Sequence, residues 1–222
     1  MWTRFNVRWE FQTNLCASVP ADPQMIKRWL ESRKPATRPP DTKSIDEVAA
    51  EVAETVLVPE DQPPSLLVFQ RVDGKLVTRA MTVRSHIKDC AQILSSLYVG
   101  KIEREKSFAV KVKQAIYWAP ENYWIPIVRR DGAPVTEADG QIERPIHAFT
   151  PQGVISALKV FEYVTDAVME FPLLVLTTPK GTPVVSESDL KTIFMYGGMH
   201  GYAGERSLDG GRYAFSIAEA QG

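Results

Sequence analysis

The stretch YGGMHGYAGERSLDGGRY, residues 196–213, decides the fold that the sequence predicts. It contains six glycines, two arginines, one histidine and one serine. Glycine adopts positive φ angles at little steric cost and lets a second backbone approach closely. So many glycines in a short span indicate a specialised loop, whose meaning depends on the elements that it joins.

A capped helix precedes this loop and a strand follows it. Ser186 is a good N-cap for a helix over 186–197, whose first turn carries acidic residues. After the loop, Tyr213, Phe215 and Ile217 share one face of a strand. A P-loop or a dinucleotide-binding loop needs the reverse order, a strand before the loop and a helix after it. The sequence therefore does not predict a nucleotide cradle here.

The N-terminal half contains strands and helices in alternation. Strict alternation of apolar and polar residues predicts a strand over residues 4–12. Helical spacing, capping residues and the Asp73-Gly74 turn signal predict the next elements. These elements are a helix from Asp22 to Arg33, a proline-rich loop over 34–44, a helix over 45–57, a hairpin of 65–72 with 75–81, and a helix over 83–98.

The C-terminal half begins with a second alternating segment. Residues 107–118 are predicted to be a strand, and residues 119–150 a loop-rich region with a turn at Arg130-Asp131-Gly132. A helix is predicted to begin near Thr150, before strands near 158–164 and 168–178. The outer frame then matches an α+β, ferredoxin-like βαββαβ domain (RRM-like), an antiparallel sheet with helices on one face. A large insertion, residues 73–165, would supply a basic hairpin, a helix and a strand at one edge.

Composition excludes several classes of protein. The 222 residues are 44% hydrophobic, which suffices for a core, and the net charge of −1 is not a global basic signature. Cys16 and Cys90 form neither a disulfide framework nor a zinc motif, which fits a reducing cytosol. The sequence contains neither a signal peptide nor an apolar run of the roughly 20 residues that a membrane helix needs.

Charge is unevenly distributed along the chain. Residues 40–63 contain seven acidic residues and one basic residue, whereas residues 71–113 contain ten basic and four acidic residues. These segments are either ordinary solvated faces or, for the second, a basic strip that binds a polyanion. The candidate phosphate contacts of such a strip are Arg79, Arg84, Lys88, Lys111 and Lys113.

Motifs for metal or cofactor binding are missing. His86, His147 and His200 are isolated, and no cofactor is predicted. His200 lies close to Arg206 and Ser207, so metal-independent RNA cleavage by His200 or His86 stays an open alternative. A histidine that hydrogen-bonds a loop carbonyl or faces solvent is the more common case.

The glycine-rich loop itself has two interpretations. Successive exposed N–H groups form an anion-binding concavity, to which Arg206 and Arg212 would add bidentate phosphate contacts. Alternatively, Gly197-Gly198 is a helix C-cap followed by a tight connection packed under the sheet. A cap needs one glycine, so it explains the first pair better than the others.

The order of these C-terminal residues resembles that of a known family. An apolar strand, a capped helix, spaced glycines with Arg-Ser, and a last apolar strand resemble the C-terminal end of the repeat-associated mysterious protein (RAMP) superfamily. The resemblance covers residues 161–217, and its matching positions are Gly201, Gly204, Arg206, Ser207, Gly210 and Gly211, before the strand 212–217. Members are ferredoxin-like RNA-binding subunits and processing nucleases of CRISPR systems. Similar loops occur in uncharacterised proteins of tailed bacteriophages.

This resemblance implies RNA binding or assembly with similar subunits. We expect a single RAMP-like domain, 1–222, that binds single-stranded RNA without cleaving it, in the cytoplasm of a bacterial or phage-infected cell. The expected RNA contacts are the matching loop residues, Arg212 and the basic candidates above. One alternative is a phage-encoded structural or inhibitory protein that mimics or binds a CRISPR complex. The other is a metal-independent endoribonuclease.

Overall fold

The fold is built around the first strand, whose alternation the sequence predicts. Phe5, Val7, Trp9 and Phe11 are buried on one face, and the polar residues between them lie on the other. In the computed structural model, placement is described for residues 1–22, 66–97, 108–118, 120–150, 153–206 and 209–220, with Glu47 and Ala50. The segments predicted over 22–33, 34–44 and 45–57 lie outside the described residues, apart from Asp22, Glu47 and Ala50.

The described elements follow one another from Trp2 to Glu219. The strands are β1 (Trp2–Phe11), β2 (Leu15–Cys16), β3 (Val19–Pro20), β4 (Leu66–Val68), β5 (Gln70–Val72), β6 (Lys75–Arg79), β7 (Ile116–Tyr117), β8 (Trp124–Arg129), β9 (Gly140–Thr150), β10 (Gly153–Val164), β11 (Ala167–Leu176) and β12 (Tyr213–Glu219). The helices are α1 (Ala80–Leu97), α2 (Phe108–Ala115) and α3 (Glu187–His200), with a 3-10 turn at Pro120–Asn122.

Six elements form a ferredoxin-like frame. Along the chain they are β1, α1, β8, β11, α3 and β12, and the four strands lie side by side as β12-β1-β11-β8. Every neighbouring pair is antiparallel. The strand order of the frame is therefore 4-1-3-2, which confirms the predicted α+β, ferredoxin-like fold. Beyond β8 the same sheet continues into the β5–β6 hairpin, and β7 pairs with β11.

The two frame helices lie side by side over Trp9. This ring contacts His86 of α1 and Phe194 of α3, at centroid distances of 5.6 and 5.7 Å. Ile87, Cys90, Ala91 and Leu94 of α1 are buried, as its spacing predicts. Both α1 and β8 lie within residues 73–165, so the frame runs through the span that was expected to elaborate one edge. The division of the chain into a domain and an insertion stays a prediction.

A second, smaller sheet accompanies the frame. Its order is β2-β10-β4-β3, and β9 pairs with the whole length of β10 as a hairpin. Asp139 fixes the base of this hairpin, because it accepts hydrogen bonds from the Thr165 N–H and hydroxyl, each at 2.7 Å, and from Arg129. The Arg129 guanidinium holds the pKa of the Asp139 carboxyl well below its usual range.

Several predicted elements are confirmed. The Asp73-Gly74 turn joins β5 to β6, and both residues have positive φ angles, 50° and 71°, as in a type I′ turn. The Arg130-Asp131-Gly132 turn closes with a hydrogen bond from the Gly132 N–H to the Arg129 carbonyl. Ser186 caps α3 in a reciprocal capping box with Asp189.

Three predictions are wrong. The strand expected over 107–118 is mostly helix α2, because Phe108, Val112 and Ala115 recur at helical spacing and are buried. The segment near Thr150, expected to begin a helix, belongs to the β9–β10 hairpin, in which the two strands satisfy each other's backbone groups. The region expected to be loop-rich contains β8, which pairs with β11 and β6. The helix α3 continues to His200, so Gly197-Gly198 lies inside the helix, and its C-cap is Gly201.

Candidate nucleic-acid interface

The glycine-rich loop after α3 is closed by its own backbone hydrogen bonds. The Tyr202 N–H donates to the Gly211 carbonyl at 2.9 Å, and the Gly211 N–H donates to Asn14 at 2.9 Å. The Gly204 N–H donates to Cys16 at 3.2 Å, which joins the loop to β2. The N–H groups of Gly201 and Gly210 also bond to carbonyls of the same chain. The N–H groups of Tyr202 and these four glycines are engaged within the chain, so they do not form an anion-binding concavity.

The glycines allow close approach of backbone to backbone. A Cβ at Gly211, whose φ is 69°, would overlap the Tyr202 carbonyl. A Cβ at Gly198 would overlap the Tyr213 carbonyl, and one at Gly204 would lie 2.5 Å from that of Ala17. Gly211 thus closes the loop on Tyr202, Gly204 packs it against the segment after β2, and Gly198 brings α3 against β12.

Tyr202 anchors the loop in the core. Its ring is buried against Trp9 at a centroid distance of 5.4 Å, and its hydroxyl shares a 2.9 Å hydrogen bond with Thr78 at the end of β6. Burial raises the pKa of this phenol, so it stays protonated. Since Ala203 and Arg206 follow the anchor directly, Tyr202 fixes where the loop meets α1.

Between the loop and α1 lies a polar cleft of about 120 Å³. Arg79 enters it from the end of β6, and Arg206 enters it from the loop. The other lining residues are Ser18, Val19, Gln70, Thr82, Ser85, His86, Asp89, Tyr202 and Ala203. The structure therefore brings together two of the predicted contacts, Arg79 and Arg206, which are separated by more than half of the chain.

Arg79 carries unused hydrogen-bond donors. Its guanidinium lies 5.3 Å from the ring centroid of Trp124 and 5.8 Å from that of Tyr123. Its Nε and Nη2 atoms are buried and have no hydrogen-bond partner among the described residues. A buried donor without a partner is costly, and a ligand whose oxygen acceptors reached these two nitrogens would remove that cost.

His86 closes the floor of the cleft. It is 5% exposed, and its Nε2 shares a 3.1 Å hydrogen bond with the Tyr213 hydroxyl. Burial, with the nearby Arg206 charge, lowers the pKa of His86 to about 3. Burial also raises the pKa of the adjacent Cys90 thiol to about 12. The His86 imidazole is therefore neutral at physiological pH and holds β12 against α1.

His200 has a more open position. It lies in the last turn of α3, where its ring stacks on Tyr196 at a centroid distance of 5.5 Å. Partial burial and the Arg206 charge lower the pKa of this imidazole. His147 lies on β9, paired in register with Ser156. In the described part of the chain, no group of three or more His, Cys, Asp or Glu residues is arranged to hold a metal ion.

The other predicted basic contacts are not at the cleft. Arg84, Lys88 and Lys113 lie together where α1 meets α2, and Lys111 lies on α2. Arg212 pairs with Asp209 at 2.5 Å. Ser207 lies outside the described residues. The expected basic strip is thus divided, with Arg79 and Arg206 on one side of α1 and Arg84 and Lys88 on another.

Sequence reasoning did not identify the polar lining that α1 supplies to the cleft. Thr82, Ser85 and Asp89 recur every three or four residues, which places them on one side of the helix. That spacing was a usable signal, but it was obscured by the apolar residues and basic residues between them. Gln70 and Ser18 came from distant segments, and no local pattern marks them.

Comparison with known proteins leaves the family open. No protein-family model and no curated protein matches the chain. Among solved structures, the chain is similar to one in the cryo-EM structure of the Type III-B Cmr-beta bound to cognate target RNA, with 7% identity and a TM-score of 0.44. The similarity covers 99% of this chain and 62% of that chain, so this chain spans less than two thirds of its length. The fold assignment rests on the strand order and not on this similarity.

Within the described ranges, no helix is both long and apolar enough to cross a bilayer.

Proposed function

We propose that this chain is a non-catalytic, RNA-binding, RAMP-like subunit of a CRISPR-type ribonucleoprotein. The observation that carries the proposal is the convergence of Arg79 and Arg206 on one cleft. Two nitrogens of the Arg79 guanidinium are also buried with no hydrogen-bond partner in the described part of the chain. The planar guanidinium matches a phosphate with two parallel hydrogen bonds. The ferredoxin-like strand order and the sequence resemblance of the loop support the same family.

The size of the cleft favours a phosphate group over an enclosed nucleotide. Its volume of about 120 Å³ is far smaller than the roughly 300–1,000 Å³ of pockets that enclose a drug-sized ligand. The hydroxyls of Thr82 and Ser85 can donate hydrogen bonds to phosphate oxygens at the same place. One phosphate group of a nucleic-acid strand that continues over the protein surface fits this volume. A contact to phosphate does not read the base sequence.

The glycines have an indirect part in this function. Because the N–H groups of Gly201, Gly204, Gly210 and Gly211 bond within the chain, we assign these residues to shaping the loop that presents Arg206. Asp89 also lines the cleft. Its carboxylate repels a phosphate, so the two arginines must outweigh it, and the affinity should depend strongly on salt.

Binding of single-stranded RNA tests the proposal. Anisotropy titrations of a labelled mixed-sequence RNA, over a range of NaCl concentrations, should show affinity that falls steeply with salt. Each of Arg79→Ala and Arg206→Ala should weaken binding of all sequences alike and reduce the salt slope by roughly 0.7 for each phosphate that the variant no longer neutralises. Arg130→Ala is the matched control, since Arg130 is 58% exposed and pairs with Asp166.

The same titrations separate the alternatives. If wild-type protein binds no RNA at low salt, the RNA-binding function is wrong. A large complex that survives nuclease treatment would then favour the structural or inhibitory protein. RNA cleavage in EDTA that His200→Ala abolishes would favour the endoribonuclease.

A further inference from the structure

A pair of exposed aromatic side chains lies at one end of the strands of the larger sheet, outside the lining of the cleft. Trp2 and Tyr117 are 47% and 40% exposed, and their rings meet at a centroid distance of 4.8 Å and an angle of 67°. Trp2 pairs in register with Leu176 of β11, and Tyr117 pairs with Leu174. Positions two residues apart on a strand share a face, so the two rings extend one apolar surface.

Basic side chains border this pair. The Arg84 guanidinium lies 5.2 Å from the ring centroid of Tyr117 and donates a 2.9 Å hydrogen bond to the Lys113 carbonyl. Lys88 follows Arg84 by one helical turn. Residues four apart on a helix are neighbours on its surface, so Lys88 lies beside Arg84, while the hydrogen bond from Arg84 brings the backbone of Lys113 to the same place.

Each aromatic ring has a different role in this arrangement. Tyr117 contacts both Arg84 and Trp2, so its ring is engaged by its neighbours. Trp2 meets Tyr117 at a steep angle, and nearly half of its surface is accessible to solvent. Tyr117 therefore positions Trp2, and Trp2 provides the exposed surface that a ligand can contact.

We propose that Trp2 is a stacking platform for a base of a single-stranded nucleic acid, with the flanking phosphates on Arg84, Lys88 and Lys113. An aromatic face beside a basic groove is the combination by which proteins bind single strands without reading their sequence. This inference rests on the proposed function for the class of ligand, but it assigns a second contact site across α1 from the cleft.

The charge at this surface favours a nucleic acid over a protein partner. An apolar protein face placed on Trp2 would take water from three neighbouring cations without pairing them, which is costly. A single strand supplies a phosphate for each cation together with a stackable base. Base stacking on an aromatic side chain also tolerates every base, since each has a π face.

The test compares oligomers with and without bases. The probes are oligoadenylate RNA, the corresponding DNA, and an abasic oligomer with the same number of phosphates. Trp2→Ala should weaken binding of both base-containing strands about tenfold and leave the affinity for the abasic oligomer unchanged. Trp2→Phe should retain most of the affinity, because a ring is restored. Circular dichroism confirms that both variants are folded.

The outcomes distinguish this inference from the proposed function. If wild-type protein binds RNA and Arg79→Ala weakens it, but Trp2→Ala has no effect, the platform is wrong and the cleft stands. An equal loss for the abasic oligomer would also overturn stacking. Loss of self-association by Trp2→Ala, with unchanged nucleic-acid binding, would make the surface a protein interface. If wild-type protein binds none of the oligomers, both inferences fail.

Discussion

At the scale of single residues, Gly211 and Gly74 show how different the reasons for a glycine can be. Their φ angles are nearly equal, 69° and 71°. Nothing lies within 4 Å of a Cβ added at Gly74, whereas a Cβ at Gly211 would overlap the Tyr202 backbone. Gly74 is therefore required only by the backbone conformation, whereas at Gly211 a side chain would also find no space.

We therefore expect Gly211→Ala to destabilise the protein more than Gly74→Ala does. The positive φ costs both variants about 1–2 kcal/mol. Gly211→Ala carries a further packing penalty of about 1–3 kcal/mol, because Tyr202 must shift. Urea unfolding of the two variants measures the difference. Equal losses would mean that the loop yields to the added methyl group.

Stability in acid should depend on His86. The unfolded chain takes up a proton near pH 6.5, whereas the folded protein keeps His86 neutral until about pH 3. The unfolded state therefore binds more protons within this window, and the free energy of unfolding falls by about 1.4 kcal/mol per pH unit as the pH decreases. Below the folded pKa the loss is complete.

The measurement is urea unfolding at pH 7 and pH 5 for wild type and His86→Gln, which does not titrate. The pH dependence of the wild type should exceed that of the variant, even where the variant is less stable at both pH values. Equal pH dependence would show that the folded state protonates His86 as readily as the unfolded chain does.

At the scale of elements, the sequence predicts an element correctly where the residues that stabilise it are neighbours in sequence. The capping box of α3 is such a case, since Ser186 and Asp189 are three residues apart and satisfy each other's backbone N–H groups. The β5–β6 turn and the alternation of β1 are two more. Each was predictable because the interacting groups are neighbours in sequence.

Ser186→Ala should destabilise α3 by about 1 kcal/mol, because the Asp189 N–H loses its acceptor at the helix N-terminus. Ser188→Ala is the matched control, since Ser188 lies in the first turn of the same helix but is not its cap. Thermal unfolding followed by circular dichroism compares the two. A similar effect of both substitutions would assign the loss to hydroxyl solvation instead of capping.

The helix α2 shows why another element was not predictable. Phe108, Val110 and Val112 alternate as in a strand, yet Phe108, Val112 and Ala115 also fit a helix. Packing against α1 decides between the two patterns, and it leaves Val110 48% exposed. The residues that pack against this segment are distant in sequence, so the segment alone does not indicate which of the two patterns is adopted.

At the scale of the whole molecule, the frame was predictable and the path of the chain through it was not. The first and last strands and α3 carry clear patterns, and these define the ferredoxin-like class. Among the described helices, the first of the frame is α1, which packs against α3. The cleft has the same origin, since Arg79 and Arg206 meet only after the fold brings β6 and the loop together.

The position of β1 also has a consequence for synthesis. Arg8 of β1 pairs with Glu170, 162 residues later, and Phe5 pairs with Glu219. At 5–20 residues per second, a ribosome would need roughly 10 to 30 seconds to make the first of these partners. During translation the apolar face of Phe5, Val7 and Trp9 stays without its final neighbours. An inner strand of the sheet is thus made long before both of its neighbours, and its unpaired edges are open to mispairing until they follow.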